Sequence, residues 1–236
     1  MSKFLRIMER WQKDEPSALE NLKNLLFFMQ NPGLLDIKKF PANIDKELLY
    51  GVTPFLSRGG RRLISLETGQ LLYRLAKECK EDTLVEIGSF TGFSTVCIGL
   101  GLKARGKGKL YAIDPQLLGE RKTLRKNIKE AGVEKFVEVI EDYSYNAARG
   151  WNKKIGLLFV DGDHSHAGAK KDMDDWLPHL AKGGWAVIHD FSLKFPSVCR
   201  AAKECLLDSG KFTEIMRTAQ AAVTSNSTEA LAARKR

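Results

Sequence analysis

The strongest constraint on the fold is an alternation of apolar strand candidates with amphipathic segments, which begins at Leu84. The strand candidates are residues 84–88, 109–114, 136–141, 155–161 and 185–190, and helical spacing of apolar residues marks 93–104, 119–131, 165–180 and 196–209. Apolar strands that alternate with helices form a parallel sheet covered on both faces, with right-handed crossovers. We therefore predict an α/β fold of the Rossmann-like, doubly wound type.

The two ends of the chain depart from this alternation. Strand candidates at 212–218 and 221–226 have no helix between them, which predicts an antiparallel C-terminal hairpin on a mostly parallel, seven-stranded sheet. Residues 227–236 are predicted to be a flexible tail. Residues 1–60 are predicted to form an N-terminal helical and loop extension, either a lid or dimer arm or a helix that covers one face of the core. The main domain then spans 61–226, and its first helix begins after Ser65 as N-cap.

Composition narrows the class of partner and the location. The net charge is +9, but the basic clusters are scattered and no aromatic residues interleave with them, so the pattern favours a solvated basic surface over a nucleic-acid partner. No apolar run is long enough to cross a membrane, and the first residues do not resemble a secretory signal. The four cysteines form no CxxC pair, which indicates reduced thiols and a cytoplasmic protein.

Acidic residues end all five parallel-strand candidates, where an open α/β sheet binds its ligands. They are Glu86, Asp114, Asp142, Asp161 and Asp190. Helix packing does not require acids at these positions, because buried positions favour apolar residues. All four histidines fall in or after the last two of these strands. We therefore expect the chemistry at this edge of the sheet.

A glycine-containing loop follows the first strand. In "VEIGSFTGFSTV" (85–96), Gly88 and Gly92 allow a sharp turn and a close approach of the backbone to a ligand, and the next helix offers free amides. The loop lacks GxGxxG spacing. An acid at the end of the second strand, Asp114, is placed to accept the hydroxyls of a ribose. Together these features predict a nucleotide-type cofactor.

A longer set of motifs resembles a known family. "VEIGSFTGFST", "LYAIDP" and "FVDGDHSHAGAKKDMDDWLPHLAKGGWAVIHDF" are similar to the class I S-adenosylmethionine-dependent methyltransferases, and more narrowly to methyltransferase family 24. That group is related to the macrocin-type sugar O-methyltransferases. The resemblance covers roughly residues 60–225 and implies an enzyme that transfers a methyl group from S-adenosyl-L-methionine to a hydroxyl of a small molecule.

The resemblance also implies roles for individual residues. The loop would hold the methionine part of the cofactor, Asp114 the ribose, and Asp142 with Tyr143 the adenine, while Ser65 and Glu67 match a less specific cofactor segment. The implied cofactor-binding residues are Glu86, Gly88, Ser89, Phe90, Thr91, Gly92, Ser94, Asp114, Asp142, Tyr143 and Asp161.

The acceptor side of the implied site carries acids and histidines. The implied catalytic residues are Asp161, Asp163, His164 and His189, and the implied metal ligands, for Mg²⁺ or another divalent cation, are Asp161, His189 and Asp190. Metal-dependent relatives have an acid or amide where this chain has a histidine, a poor ligand for Mg²⁺. Without a cation, His164 or His166 would be the base, oriented by Asp163.

Several alternatives remain open at this stage. The same fold serves nucleic-acid methyltransferases, although "DGDHSH" (161–166) replaces the Asn/Asp-Pro-Pro-aromatic motif of amino-group methylation. A nicotinamide-dependent dehydrogenase would require GxGxxG, and a non-catalytic interaction protein would not require acids at every strand end. The N-terminal extension could serve a homodimer. Asp172, Asp174 and Asp175 are predicted to form a solvated helix face.

Overall fold

A computed structural model gives the structure of the chain. It describes residues 26–27, 29–34, 37–41, 43–57, 64–117, 119–192, 194–218 and 229–236. The chain divides into two compact units, Met1–Ile37 and Lys38–Arg236. In the first unit, residues 26, 27, 29 and 30 are helical and Pro32–Leu34 forms a 3₁₀ turn. The second unit contains the sheet and its surrounding helices.

The second unit follows the predicted alternation. The helices are α1 (Lys46–Ser57), α2 (Leu66–Glu78), α3 (Phe93–Arg105), α4 (Arg121–Glu130), α5 (Ser144–Ala148), α6 (His166–Trp176) and α7 (Pro196–Ala202). The strands are β1 (Thr83–Ile87), β2 (Lys109–Ile113), β3 (Val137–Ile140), β4 (Ile155–Val160), β5 (Leu180–Ile188), β6 (Phe212–Arg217) and β7 (Leu231–Lys235). Ser65 caps α2 as predicted, because its Oγ accepts a hydrogen bond from the Thr68 amide at 3.1 Å.

The seven strands form one sheet in the order β3-β2-β1-β4-β5-β7-β6. Strands β1 to β5 pair in parallel, whereas β7 runs antiparallel to both β5 and β6. The predicted doubly wound, mostly parallel sheet with antiparallel C-terminal strands is therefore confirmed. The strand order reverses direction between β1 and β4, and ligands of such sheets bind at this switch point.

The end of the chain corrects one prediction. Residues 227–236 were expected to be a flexible tail, but Leu231–Lys235 forms β7 between β5 and β6. The predicted strand at 221–226 lies outside the described residues. Leu231 and its two alanine neighbours are fully buried, since small apolar residues fill a strand covered on both faces. The basic end of the strand is paired: Lys235 Nζ donates to the carbonyls of Leu177 and Leu180 at 3.0 and 2.6 Å.

Helix α1 covers one face of the core. Its Leu48 and Val52 are fully buried, and Tyr73 of α2 donates a hydrogen bond to Glu47 at 2.5 Å. Fully burying each aliphatic side chain stabilises the fold by about 1.5–3 kcal/mol. Residues 46–57 of the predicted extension therefore pack on the core as part of the second unit. Residues 1–25 lie outside the described residues, so the lid or dimer arm stays a prediction.

Candidate functional site

The site begins with the loop between β1 and α3, which lies against the end of β4. Gly88 has φ +84°, and a Cβ there would stand 2.0 Å from the carbonyl oxygen of Asp161. The Gly88 amide donates to the Ile113 carbonyl at 2.9 Å, and the Asp161 amide donates to the Ile87 carbonyl at 2.8 Å. Only glycine fits this left-handed, close-packed position. The loop is therefore a tight corner that joins the ends of β1, β2 and β4.

Asp114 holds the first half of this loop. Its Oδ2 accepts the amide hydrogens of Ser89 and Phe90 at 2.8 and 2.9 Å, and its Oδ1 accepts that of Gln116 at 2.7 Å. Phe90 has φ +43°, an uncommon conformation for a residue with a side chain, and these bonds stabilise it. A carboxylate has about four acceptor positions, so one position on Oδ1 remains for a ligand.

The second half of the loop is held from helix α4. Asn127 is buried and donates from Nδ2 to the Thr91 carbonyl at 2.8 Å. Gly92 is the N-cap of α3 with φ +89°, and a Cβ there would lie 2.4 Å from Leu124. Sequence reasoning missed Asn127, because a single amide in an amphipathic helix carries no signal of its partner.

Glu86 lies below the loop as a fully buried acid. Its Oε2 accepts a hydrogen bond from Thr95 Oγ1 at 2.6 Å. Burial raises the pKa of Glu86 to about 7, against the opposing effect of the α3 hydroxyls. A cationic ligand above it would favour the ionised form.

The residues that follow β3 include an acid and two aromatic rings. Asp142 Oδ1 accepts hydrogen bonds from the Tyr143 amide at 2.7 Å and from Asn146 Nδ2 at 2.9 Å, and these bonds lower the pKa of Asp142. The rings of Tyr143 and Tyr145 stack at 5.3 Å and are partly exposed. Ser144, in α5, donates a short hydrogen bond to Asp172.

Two acids and two histidines meet beyond β4 and β5. His164 Nε2 lies 2.7 Å from Asp190 Oδ2 and 3.7 Å from Asp161 Oδ1. His189 Nδ1 lies 3.0 Å from Asp161 Oδ1 and 3.4 Å from Asp190 Oδ1. One donor atom from each of Asp161, His164 and Asp190 lies within 4.8 Å of the others. These distances are those of a candidate metal centre.

The four groups balance one another electrostatically. Burial alone would lower the pKa of His164 and of His189, but the adjoining carboxylates outweigh it and raise each pKa to about 10. Burial would raise the pKa of Asp161 and of Asp190, and the imidazoles instead hold both below their usual range. Without a cation, the carboxylates therefore favour the protonated form of both imidazoles.

Comparisons with known proteins decide the family. The family profile described as "Methyltransferase domain", methyltransferase family 24, matches residues 85–191. A protein of Acanthamoeba polyphaga mimivirus is 30% identical over 156 residues, which cover 61% of this chain and 69% of that protein. The chain belongs to methyltransferase family 24. It is an S-adenosylmethionine-dependent methyltransferase.

Two further proteins similar to this methyltransferase bear on its fold and class. The flavonoid 3',5'-methyltransferase of Vitis vinifera is 27% identical over 151 residues, which cover 61% of this chain and 62% of that protein. The fold resembles that of the O-methyltransferase TomG from Streptomyces achromogenes, solved with S-adenosylmethionine, with a TM-score of 0.62 and 18% identity over 83% of this chain and 92% of that one. In the part of the methyltransferase that the structure describes, every helix is too short or too polar to span a bilayer.

Some predicted site residues lie away from the cluster in this methyltransferase. Asp163 Oδ1 accepts the Ser165 amide hydrogen at 2.8 Å, so it shapes the start of α6 and does not orient a histidine. His166 Nε2 lies 3.0 Å from Glu204 Oε1, just beyond the end of α7. Ser65 serves as the α2 cap. Asp190 is thus the acid beside His164, a role that the sequence pattern assigned to Asp163.

Buried polar atoms without hydrogen bonds gather at the strand ends of the methyltransferase. Among the described residues they include Glu86 Oε1, Ser89 Oγ, Gln116 Oε1 and Nε2, His164 Nε2, Asp190 Oδ1 and Ser192 Oγ. An unpaired buried polar atom costs about 1–3 kcal/mol, so such a group indicates a ligand site. Gln116 and Ser192 were not predicted, because neither belongs to a motif.

Proposed function

We propose that this methyltransferase transfers a methyl group from S-adenosyl-L-methionine to a hydroxyl of a small molecule, with the help of a divalent cation. The observation that carries the proposal is the cluster of Asp161, His164 and Asp190 beside the glycine loop. The loop contacts Asp161 through Gly88, so a cofactor on the loop and a cation at the cluster would be neighbours. Positioning of acceptor and donor accounts for much of the rate in such a reaction.

The cofactor site is assembled from the loop and the acids around it. Glu86 would provide the negative charge for the cationic methionine end, and Asp114 has an acceptor position left on Oδ1 for a ribose hydroxyl. Tyr143 and Asp142 would border the adenine at the end of β3. Unpaired atoms on Glu86 and Ser89 support a polar ligand at this place.

The donor set fits a divalent cation. His164 Nε2 and Asp190 Oδ2 are 2.7 Å apart but do not meet in hydrogen-bond geometry, and Asp190 Oδ1 has no hydrogen bond in the described chain. Two carboxylates with an imidazole suit Mn²⁺ or Zn²⁺ better than Mg²⁺. When bound, the cation would lower the pKa of the acceptor hydroxyl. Of the predicted ligands, His189 would act by holding Asp161, because its Nδ1 is already 3.0 Å from Asp161 Oδ1.

A cation-free base is the second candidate. His164 is the candidate base, because its Nε2 lies 2.7 Å from Asp190 Oδ2. However, a pKa near 10 leaves His164 protonated at neutral pH, when it cannot accept the acceptor's proton. A cation that displaces this proton removes the difficulty, which favours the metal-assisted route.

A small acceptor fits this site better than a nucleic acid. The Phe195 ring lies 4.8 Å from the His164 ring and provides an apolar wall beside the cluster. Two positive charges of the basic helix α4 are already paired and so attract a nucleic acid less, because Arg121 and Arg125 both contact Glu141, at 2.6 and 3.1 Å. The flavonoid methyltransferase of Vitis vinifera makes phenolic hydroxyls a sensible first class of acceptor to test.

Calorimetric titration tests the proposal. S-adenosylmethionine is titrated into the protein in EDTA and then in Mn²⁺, and methyl transfer to phenols, flavonoids and sugars is followed by mass spectrometry. We expect cofactor binding in both buffers and transfer to a hydroxyl only with the cation. If the cofactor binds and methyl transfer is as fast in EDTA as in Mn²⁺, the proposed role of the cation would be rejected. Transfer to nitrogen or to nucleic acid alone would reject the hydroxyl acceptor.

A further inference from the structure

Gln116 is joined to the glycine loop through Asp114 and carries a side-chain amide without a hydrogen-bond partner in the described residues. It lies three residues after the end of β2, and its own backbone amide donates to Asp114 Oδ1 at 2.7 Å. Both polar atoms of its side chain, Oε1 and Nε2, are shielded from solvent and make no hydrogen bond within the described residues. A buried amide without partners destabilises the fold. The fold thus maintains a donor and an acceptor that nothing in the described chain uses.

The backbone of Gln116 keeps this side chain in place at a further cost. Its φ is +52°, in the left-handed region that glycine, asparagine and aspartate populate more readily than glutamine. Strained backbone conformations of this kind destabilise the fold and are frequent at functional sites. The turn continues with the Gly119 amide, 3.4 Å from the Gln116 carbonyl. Two unfavourable features at one residue point to a ligand as the compensation.

We infer that Gln116 is a cofactor-binding residue whose amide hydrogen-bonds the adenine of S-adenosylmethionine. The inference rests on the proposed placement of the cofactor along the loop and Asp114. An adenine edge offers an amino donor and a ring-nitrogen acceptor side by side, and a glutamine amide matches this pair with two bonds. Asp142 does not provide the same pattern, because its Oδ1 already accepts from Tyr143 and Asn146 and a carboxylate has no donor.

Gln116 should make the protein selective for adenine over other nucleobases. The protein is titrated with S-adenosylhomocysteine, with S-inosylhomocysteine, in which a carbonyl replaces the amino group, and with 2'-deoxy-S-adenosylhomocysteine. The wild type should prefer adenine to hypoxanthine by at least about tenfold, as for a paired amide contact. Gln116→Leu should remove this preference and keep the preference for the ribose hydroxyl. Leu117→Ala, half-exposed in the same turn, is the matched control and should behave as wild type.

Thermal unfolding of the ligand-free protein distinguishes a structural role of Gln116 from a role in binding the cofactor. Removing an unpaired amide should leave the melting temperature of Gln116→Leu equal to or above that of wild type, and a clear drop would overturn the inference. It is also overturned if Gln116→Leu keeps the wild-type base preference, or loses only the preference for the ribose hydroxyl. Failure of the wild type to bind S-adenosylhomocysteine would reject the proposed cofactor site, and the inference with it.

Discussion

The backbone of Gly88 packs directly against the backbone of Asp161, with 2.0 Å between the position of a Cβ on residue 88 and the Asp161 carbonyl oxygen. This contact ties the proposed cofactor loop to the first ligand of the proposed cation site. The two halves of the site are therefore packed against each other as one unit.

Gly88→Ala should disrupt that unit. The methyl group overlaps backbone that cannot retreat, and alanine also resists φ of +84°. We expect the free energy of unfolding to fall by about 2–4 kcal/mol and cofactor binding to be lost. Chemical denaturation and calorimetry measure both. Gly150→Ala is the control, since a Cβ there meets nothing within 4 Å. Equal behaviour of the two variants would contradict the packing described.

Asp114→Asn should weaken the cofactor loop without a change of size. An asparagine amide would face the amide hydrogens of Ser89, Phe90 or Gln116 with a donor, so one bond at least is lost. We expect S-adenosylmethionine affinity to fall by about tenfold to a hundredfold, since bonds to charged groups contribute about 1.5–3 kcal/mol. Asp174→Asn, on the surface of α6, serves as the control and should bind normally.

Cofactor affinity should rise with pH through the titration of Glu86. The free protein holds a proton on this acid up to a pKa of about 7, and a cationic ligand favours the ionised form. Binding must therefore release the proton below pH 7, which weakens affinity as the pH falls. Calorimetry between pH 5.5 and 8 measures the slope, here roughly one decade per unit at the acid end. If cofactor affinity in a Glu86→Gln variant depends on pH as in wild type, a group other than Glu86 causes the pH dependence.

Asp172 should make the fold less stable as the pH rises. It was predicted on a solvated face, but it is buried beside Ser144, and burial raises its pKa from 3.8 to about 6. A raised pKa means that the folded state holds the proton more tightly, so this stabilisation is complete below pH 3.8 and is lost as the pH rises through 6.

The variant Asp172→Asn tests whether the ionisation of Asp172 destabilises the fold as the pH rises. In wild type, the ionisation of Asp172 should lower the free energy of unfolding between about pH 4 and 7, and the variant should lack this decrease. At pH 7.5 the variant should be at least as stable as wild type. Thermal unfolding at a series of pH values measures the difference. Asp174→Asn, which removes a surface contact with Lys170, should keep the wild-type profile. A variant profile parallel to wild type would show that Asp172 does not titrate in this range.

Mn²⁺ binding should depend on His164 and Asp190. Asp190→Asn removes a buried carboxylate, and His164→Ala removes the imidazole 2.7 Å from it. Each variant should bind Mn²⁺ at least about tenfold more weakly, as expected for loss of a direct ligand. Electron paramagnetic resonance of free Mn²⁺ gives the affinity. His179→Ala, three residues beyond the C-terminal end of α6, is the control. If His164→Ala binds Mn²⁺ as tightly as wild type, His189 would be the third ligand of the cation and His164 would not.

Local sequence by itself determined much of this protein. The period of the apolar residues defined the alternation of strands and helices, and the strand ends agree with the predicted ones to within a residue or two for β1 to β4. Ser65 was predictable as a cap because capping involves only neighbours in the chain. The acids at the strand ends were recognisable because parallel strands bring their carboxyl ends together.

Only the tertiary structure decided which side chains meet. Lys235 and its strand resemble a tail in the sequence, because a basic C-terminal segment looks solvated until its carbonyl partners, 55 and 58 residues away, are known. Asp190 beside His164, Asn127 on Thr91 and the unpaired amide of Gln116 follow likewise from contacts distant in the chain. A side chain's type fixes what it can bind, but its burial and partners depend on packing, which local sequence patterns do not encode.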